Sequence, residues 1–230
     1  MGNEMIQRLL DIIFSGLAIL CLALVLLPLI IVLSLTGEGE VFYRQPRVGL
    51  DGRFFELLKF ATMLKDSPNI GPGEITILND SRILPLGKFL RKSKINELPQ
   101  LWNIFIGDMS IVGPRPMVPK TFEHYPEHSK GKICSIRPGL TGVGSIIFRD
   151  EERCLDGLSD PVSFYRQTII PYKSSLELWY VERQSTALYF KVIFITAWVV
   201  LFPSSRLPQT IFLGLPLQPK ELQRLLHVQL

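Results

Sequence analysis

The chain is short of the residues that build cross-links and metal cages. Its three cysteines, Cys21, Cys134 and Cys154, are odd in number and show no CxxC spacing, which argues against a disulfide framework and a zinc site and fits a reducing compartment. There are three histidines, and His124 and His128 lie four apart with Pro126 between them. Proline disturbs the helix that would bring them to one face, so they read as surface histidines. No internal repeat is present. The net charge is a modest +4, which suits anionic headgroups or a phosphorylated ligand and does not point to nucleic acid as a partner.

Charge is also absent from one long stretch. Ile12 to Leu35 is 24 residues without Asp, Glu, Lys or Arg, and about 20 apolar residues suffice to cross a bilayer core. The length of the run, the lone Arg8 between Glu4 and Asp11, and the lack of a small-x-small cleavage site argue against a cleaved signal peptide. Residues 1–11 read as an amphipathic start lying at the membrane surface. Pro28 predicts a kink. A single spanning helix and a helix that turns back to its own side both fit, because proline is tolerated in spanning helices. Arg44, Arg47 and Arg53 close behind the segment favour a cytoplasmic C-terminal side.

What the chain does have is concentrated between Asn79 and Pro116. Arg82, Lys88, Arg91, Lys92, Lys94 and Arg115 surround two acidic residues, Glu97 and Asp108, and the block ends in Gly113-Pro114-Arg115-Pro116. Arginine grips phosphate through a planar fork, and proline fixes the backbone that aims it. A phosphoryl-transfer site needs cations for the diphosphate, a metal, and a nucleophile or base in line with phosphorus. Magnesium takes one or two carboxylates plus water and phosphate oxygens, so Mg2+ or Mn2+ is the expected cofactor, with Glu97 as its leading ligand. Asp108, in a Gly-Asp turn, reads as a helix cap.

Along the rest of the chain, Val41-Phe42-Tyr43 predicts a short strand, paired through Leu50-Asp51-Gly52 with Arg53 to Phe60 as a hairpin. Ser67 to Gly73 reads as loop. Helices are expected over Arg82–Lys94 and Leu98–Phe105, with Trp102 and Phe105 in the core. Ile136 to Ile147 reads as strand and turn. Thr168 to Tyr189 reads as helix, with Leu176, Leu178, Trp179 and Val181 on its buried face. In Ala187 to Phe202, the uninterrupted apolar part from Val192 is too short to span a bilayer, so an interfacial helix is expected. The sequence assigns no role to residues 204–230.

Six motifs carry a family likeness. They are Val41-Phe42-Tyr43-Arg44-Gln45 with Arg47-Val48-Gly49, Lys59-Phe60-Ala61-Thr62-Met63, Leu98-Pro99-Gln100-Leu101-Trp102-Asn103, Gly107-Asp108-Met109-Ser110, Val112 to Pro116, and Arg137-Pro138-Gly139-Leu140-Thr141-Gly142. In this order, from about Gln7 to about Val199, the chain resembles the bacterial sugar transferases, monotopic phosphoglycosyl transferases acting on polyprenyl phosphate. The resemblance implies an α+β membrane-associated fold. Residues 1–35 would form a re-entrant helix. Residues 36–203 would form a mostly helical cytoplasmic catalytic domain with a short β-hairpin and interfacial amphipathic helices, followed by a C-terminal extension at 204–230.

It also implies transfer of a sugar 1-phosphate from a UDP-sugar to polyprenyl phosphate with release of UMP. The setting would be the cytoplasmic face of the inner membrane, at the start of polysaccharide, O-antigen, capsule or glycoprotein glycan synthesis, near downstream glycosyltransferases. Lys59, Arg82, Arg91, Arg115 and Arg137 are the implied substrate contacts, and Asn96 with Glu97 the catalytic and metal pair. Two positions depart from the family pattern. Ala61 stands where an Arg is common, and Asn96 stands where the family has the Asp taken to attack the diphosphate. Asn96 can coordinate through its carbonyl oxygen but cannot attack. Four readings stay open: an engineered change that traps substrate, attack by Glu97, direct attack by the lipid phosphate, and a catalytically impaired protein that binds lipid phosphate or acts as a scaffold.

Overall fold

The computed structural model describes residues 2–70, 80–202 and 205–223. Residues 71–79, which include the end of the expected Ser67–Gly73 loop, lie outside the described residues, as do 203–204 and 224–230. The expected uncharged segment is the core of one long helix, α1 (Gly2–Leu35), which continues through Pro28. At 1.5 Å per residue its 34 residues extend about 50 Å. It is long and apolar enough to cross a membrane by length and composition. It ends in the polar Thr36–Glu40 turn, where Gly37 and Gly39 take positive φ.

α1 lies along the rest of the protein rather than standing clear of it. Near its start, Gln7 donates to Ser110 and to the Val112 carbonyl, and Arg8 donates to the carbonyls of Ile104 and Phe105. Asp11 accepts from the Ile111 amide and from the Tyr189 hydroxyl. Ala18, Ile19 and Leu22 then pack on Leu57, Leu101, Ile104 and Met109. Leu26, Leu29, Ile30 and Leu33 pack on Phe60 and Leu90. The opposite face, with Leu17, Leu20, Leu24, Leu27 and Ile31, is exposed.

The hairpin forms as expected and is longer at its first strand. β1 (Phe42–Val48) pairs antiparallel with β2 (Phe54–Phe60), Phe42 opposite Phe60 and Val48 opposite Phe54. Asp51 and Gly52 make the turn with positive φ. β1 runs on through Pro46 because both strands of a two-stranded ribbon are edges, where proline is tolerated. α2 (Pro85–Lys92) starts with proline at its first position, which suits the fixed φ of that residue. Of its expected apolar face, Leu90 is buried and Phe89 is exposed. α3 (Gln100–Ile106) ends at Gly107, whose φ is 103°. Trp102 and Phe105, expected in the core, are instead 51% and 39% exposed and stack on each other.

β3 (Ser110–Val112) pairs in parallel with β4 (Gly139–Thr141). Between them lie α4 (Pro119–Phe122) and α5 (Glu127–Ile133). The expected strand over 136–147 is confined to β4. Val143–Ile147 is a helix, α6, which buries Val143, Ile146 and Ile147 at i, i+3 and i+4; the glycines masked that period. α7 (Glu151–Cys154), α8 (Pro161–Phe164) and a π-helical turn, Tyr165–Ile169, lead into α9 (Ile170–Glu182). α9 buries Leu176 and Trp179 as expected, with Leu178 and Val181 half-buried.

The helix expected to run to Tyr189 breaks after Glu182. Ser185 caps a new one, α10 (Thr186–Leu201), by accepting from the Leu188 amide. α10 was expected at the membrane interface. It buries Leu188, Val192, Ile195 and Val199 in the main core with α6 and α9 and exposes Phe190, Phe194 and Val200. The C-terminal residues acquire a role: α11 (Leu207–Ile211) and the segment after it close this core with Phe212 and Leu222.

Candidate active site

Glu97 sits on a single 3₁₀ turn, Ile95–Glu97, between α2 and α3. Lys94 enters that turn at φ 61°, a left-handed conformation uncommon outside glycine. Asn103 fixes α3, the helix that follows the turn, against the hairpin: its Oδ1 accepts from the Leu58 amide at 3.0 Å and its Nδ2 donates to the Glu56 carbonyl at 2.8 Å. Lys59 follows Leu58 directly and is therefore held beside the turn. Asn103 was read only as part of a motif, and nothing in its local pattern marks it as the clamp. Asp108 accepts from Asn103 Nδ2 at the end of α3.

The third contributor is the turn Gly113–Pro116. A Cβ on Gly113 would lie 2.4 Å from the Arg137 carbonyl oxygen, so only glycine allows the turn to lie against the Arg137-Pro138-Gly139 stretch. The Gly139 amide donates to the Pro114 carbonyl and the Gly113 amide to that of Thr141. Held this way, Arg115 places Nη2 3.7 Å from Glu97 Oε1. Its own backbone N–H donates to Glu177 Oε1 at 3.3 Å.

The electrostatics of Glu97 set two effects against each other. Burial raises its carboxyl, but the charges of Arg115, Lys59, Lys94 and Arg91 outweigh that and hold it below the usual carboxylate range. Glu97 is therefore ionised at neutral pH. Burial and the neighbouring Arg47 push the Lys59 ammonium well below its ordinary value, against the pull of Glu97. Burial also works against the Arg115 charge, and Glu97, Glu151, Tyr165 and Glu177 overcome it. Asn96 is 7% exposed, and its Oδ1 is buried without a hydrogen-bond partner among the described residues.

Of the expected site residues, Lys59, Arg91, Glu97 and Arg115 come together, and Asn96 precedes Glu97 on the same 3₁₀ turn. Arg82 and Arg137 do not join them. Arg82 is 3% exposed, pairs with Asp80 at 2.5 Å, and donates to the carbonyls of Ser67 and Ile70; it clamps its loop. Arg137 donates to the Gly107 carbonyl beside Arg8, at the far end of α3. Arg47 joins the cluster near Lys59 and donates to the Pro116 carbonyl; its sequence signal is the Arg47-Val48-Gly49 motif. His124 and His128 are exposed. Among the described residues no group of three His, Cys, Asp or Glu is placed to hold a metal ion. Glu97 and the unpartnered Asn96 Oδ1 are the donors on hand, and that small set suits a magnesium ion completed by phosphate oxygens and water.

Comparison with known proteins gives consistent matches. The family model described as "Bacterial sugar transferase" covers residues 2–203. The chain is 32% identical over 197 residues to a Klebsiella pneumoniae protein named UDP-glucose:undecaprenyl-phosphate glucose-1-phosphate transferase, covering 84% of this chain and 40% of that protein. A Caulobacter vibrioides protein of the same name is 35% identical over 182 residues, 75% of this chain and 64% of its own length. A Bacillus subtilis protein named Uncharacterized sugar transferase EpsL is 33% identical over 199 residues, 85% of this chain and 87% of its own. Against the first of these the chain spans about two-fifths of the relative's length.

Proposed function

The chain belongs to the bacterial sugar transferase family, and from that membership we propose that it transfers a sugar 1-phosphate from a UDP-sugar to a polyprenyl phosphate. The products are a polyprenyl-diphosphate sugar and UMP. The observation that carries this reading is the single ionised carboxylate, Glu97, ringed by Arg115, Lys59, Lys94 and Arg91. The cations that act on Glu97 outnumber it, and a diphosphate supplies further negative charge to them. Lys59, Arg91 and Arg115 bind it, and the stiff turn around Arg115 keeps its guanidinium aimed at the charge that develops on transfer.

Mg2+ or Mn2+ fits Glu97 and the Asn96 carbonyl oxygen, and when bound it neutralises diphosphate charge. The surrounding cations would disfavour a metal at Glu97 without a diphosphate beside it. Asn96, a neutral amide, supplies no nucleophile. Glu97 is the neighbouring carboxylate able to attack phosphorus, and direct attack by the lipid phosphate is the route that needs none. That same amide favours a second reading, a catalytically impaired relative that binds polyprenyl phosphate.

The membrane part of the proposal is a monotopic arrangement on the cytoplasmic face of the inner membrane. It is supported by α1 touching the same domain at Gln7, Arg8 and Asp11 and again at Leu29, Ile30 and Leu33. A helix tied at both ends to one polar domain returns its ends to one side, and Pro28 lies within the second set of contacts. Exposed Trp102, Phe105, Phe190 and Phe194 extend the apolar surface on α3 and α10. Cysteine labelling from each side checks this, with residues 1–11 and 36–60 expected to react from the same side.

The reaction is tested by offering a panel of UDP-sugars with polyprenyl phosphate and measuring UMP release with magnesium and in excess chelator. Metal-dependent UMP from one member is expected. Retained polyprenyl phosphate binding with no UMP from any member would leave the impaired-relative reading.

A further inference from the structure

Helix α9 carries a carboxyl group that the transfer reaction leaves unused. Glu177 is 2% exposed. Its Oε1 accepts from the Arg115 backbone N–H, and its Oε2 is buried without a hydrogen-bond partner among the described residues. The seat is shaped around this group. A Cβ on Gly144 would lie 2.4 Å from Glu177 Oε1, and one on Gly142 would lie 2.2 Å from the Gly113 carbonyl oxygen. No side chain larger than hydrogen fits at 144 while the carboxyl group stays in place. Thr141-Gly142-Val143-Gly144 is thus a mould for a carboxylate contributed by a distant helix.

The charged and titratable groups around it come from several elements. Lys173 lies one turn earlier on α9 and is tied to Glu151 at 2.5 Å. Arg115 approaches from the proline turn, and the Tyr125 and Tyr180 hydroxyls feel the charge of Glu177. Tyr165 and Glu151 stand around the same Arg115. Burial pushes the Glu177 carboxyl up to about 7, against the Arg115 N–H and the charges of Lys173 and Arg115.

We propose that Glu177 is the positioning residue for Arg115: its carboxylate anchors the backbone of the Pro114–Pro116 turn and so sets where the guanidinium meets the diphosphate. The proposal rests on the transfer reading above. Arg115 is then held at both ends by carboxylates, its main chain by Glu177 and its guanidinium by Glu97. A diphosphate takes over from Glu97 at the outer end while the inner anchor stays. A charged acceptor binds an N–H more strongly than a protonated one, so the anchor loosens as the pH falls through neutrality.

Three measurements test it, in membrane-embedded protein. Hydrogen exchange of the 113–117 segment in the unmodified protein, corrected for intrinsic rates, should show protection rising about tenfold from pH 6 to pH 8. This arm needs no turnover, so it decides the anchor even if no UMP is released and the transfer reading fails; flat protection overturns the proposal. Glu177→Gln should lower kcat about tenfold at pH 8, leave KM for the UDP-sugar within about threefold, and erase the acid limb of the kcat profile. Gly144→Ala should do the same by displacing the carboxylate without removing it. An unchanged kcat and acid limb in Glu177→Gln would overturn the assignment. Should that variant fail to fold, the exchange arm on the unmodified protein decides alone.

Discussion

Two arginine–carboxylate pairs arise from the same basic stretch and behave in opposite ways. Arg82 bonds Asp80 through Nε at 2.8 Å and Nη2 at 2.5 Å, and gives Nη1 to two carbonyls. Both side chains are 3% exposed. Arg115 meets Glu97 at 3.7 Å, with the side chains 37% and 19% exposed, while its backbone is pinned by Glu177 and by the turn. A buried pair whose arginine spends four of its five donors inside the fold is a fastener. A loose pair on a rigid backbone holds donors in reserve for a ligand.

The comparison is sharpened most by restoring a carboxylate at the loose site. Asn96→Asp should raise turnover by orders of magnitude and allow a phosphosugar adduct to be detected on that residue by mass spectrometry, because it supplies a nucleophile beside Glu97. Unchanged turnover and no adduct would mean that position 96 is not where phosphorus is attacked. Next, Arg115→Ala should cut UMP release by about 100-fold and move the melting temperature little. A large loss of thermal stability at an unchanged rate would make Arg115 the fastener instead.

The reverse outcome is expected at the tight pair. Asp80→Ala leaves Arg82 buried without its counter-charge and should cost about 3–5 kcal/mol in thermal unfolding, with the specific activity of the folded fraction preserved. The smallest effect concerns Glu177. Its folded pKa of about 7 lies above the ordinary 4.5, so the unfolded chain releases this proton first. Folding loses stability as the pH rises between those values. Below about 4.5 the cost is absent, and above about 7 it is complete. Glu177→Gln should therefore be more stable than the parent by up to about 3 kcal/mol at pH 8 and nearly equal at pH 4, in calorimetry at both pH values.

Elements set by local chemistry were legible in the sequence. Twenty-four uncharged residues predicted the core of α1, Asp51-Gly52 predicted the hairpin turn, and the basic block predicted the cluster around Glu97. What escaped depends on approach between distant segments. Glu177 reaches Arg115 across 62 residues, and Asn103 reaches Leu58 across 45; neither leaves a periodic trace. Arg82 reads as a phosphate ligand on cation density alone, although Asp80, its partner, stands two residues away. Trp102 and Phe105 were assigned to the core because apolar character does not distinguish a protein interior from a surface facing lipid.

The contacts of α1 also bear on how this molecule could be taken apart. Two of its hydrophobic clusters are completed by the helix: Ala18, Ile19 and Leu22 line Leu57 and Ile104, and Leu29, Ile30 and Leu33 line Phe60 and Leu90. A proteolytic cut in the Thr36–Glu40 turn would leave those side chains still gripped and release nothing soluble. Expressing residues 36–223 alone would uncover the underside of the hairpin that carries Lys59. In this chain the long apolar helix is one side of the hydrophobic packing under the hairpin, so removing it would unsettle the strand that carries Lys59.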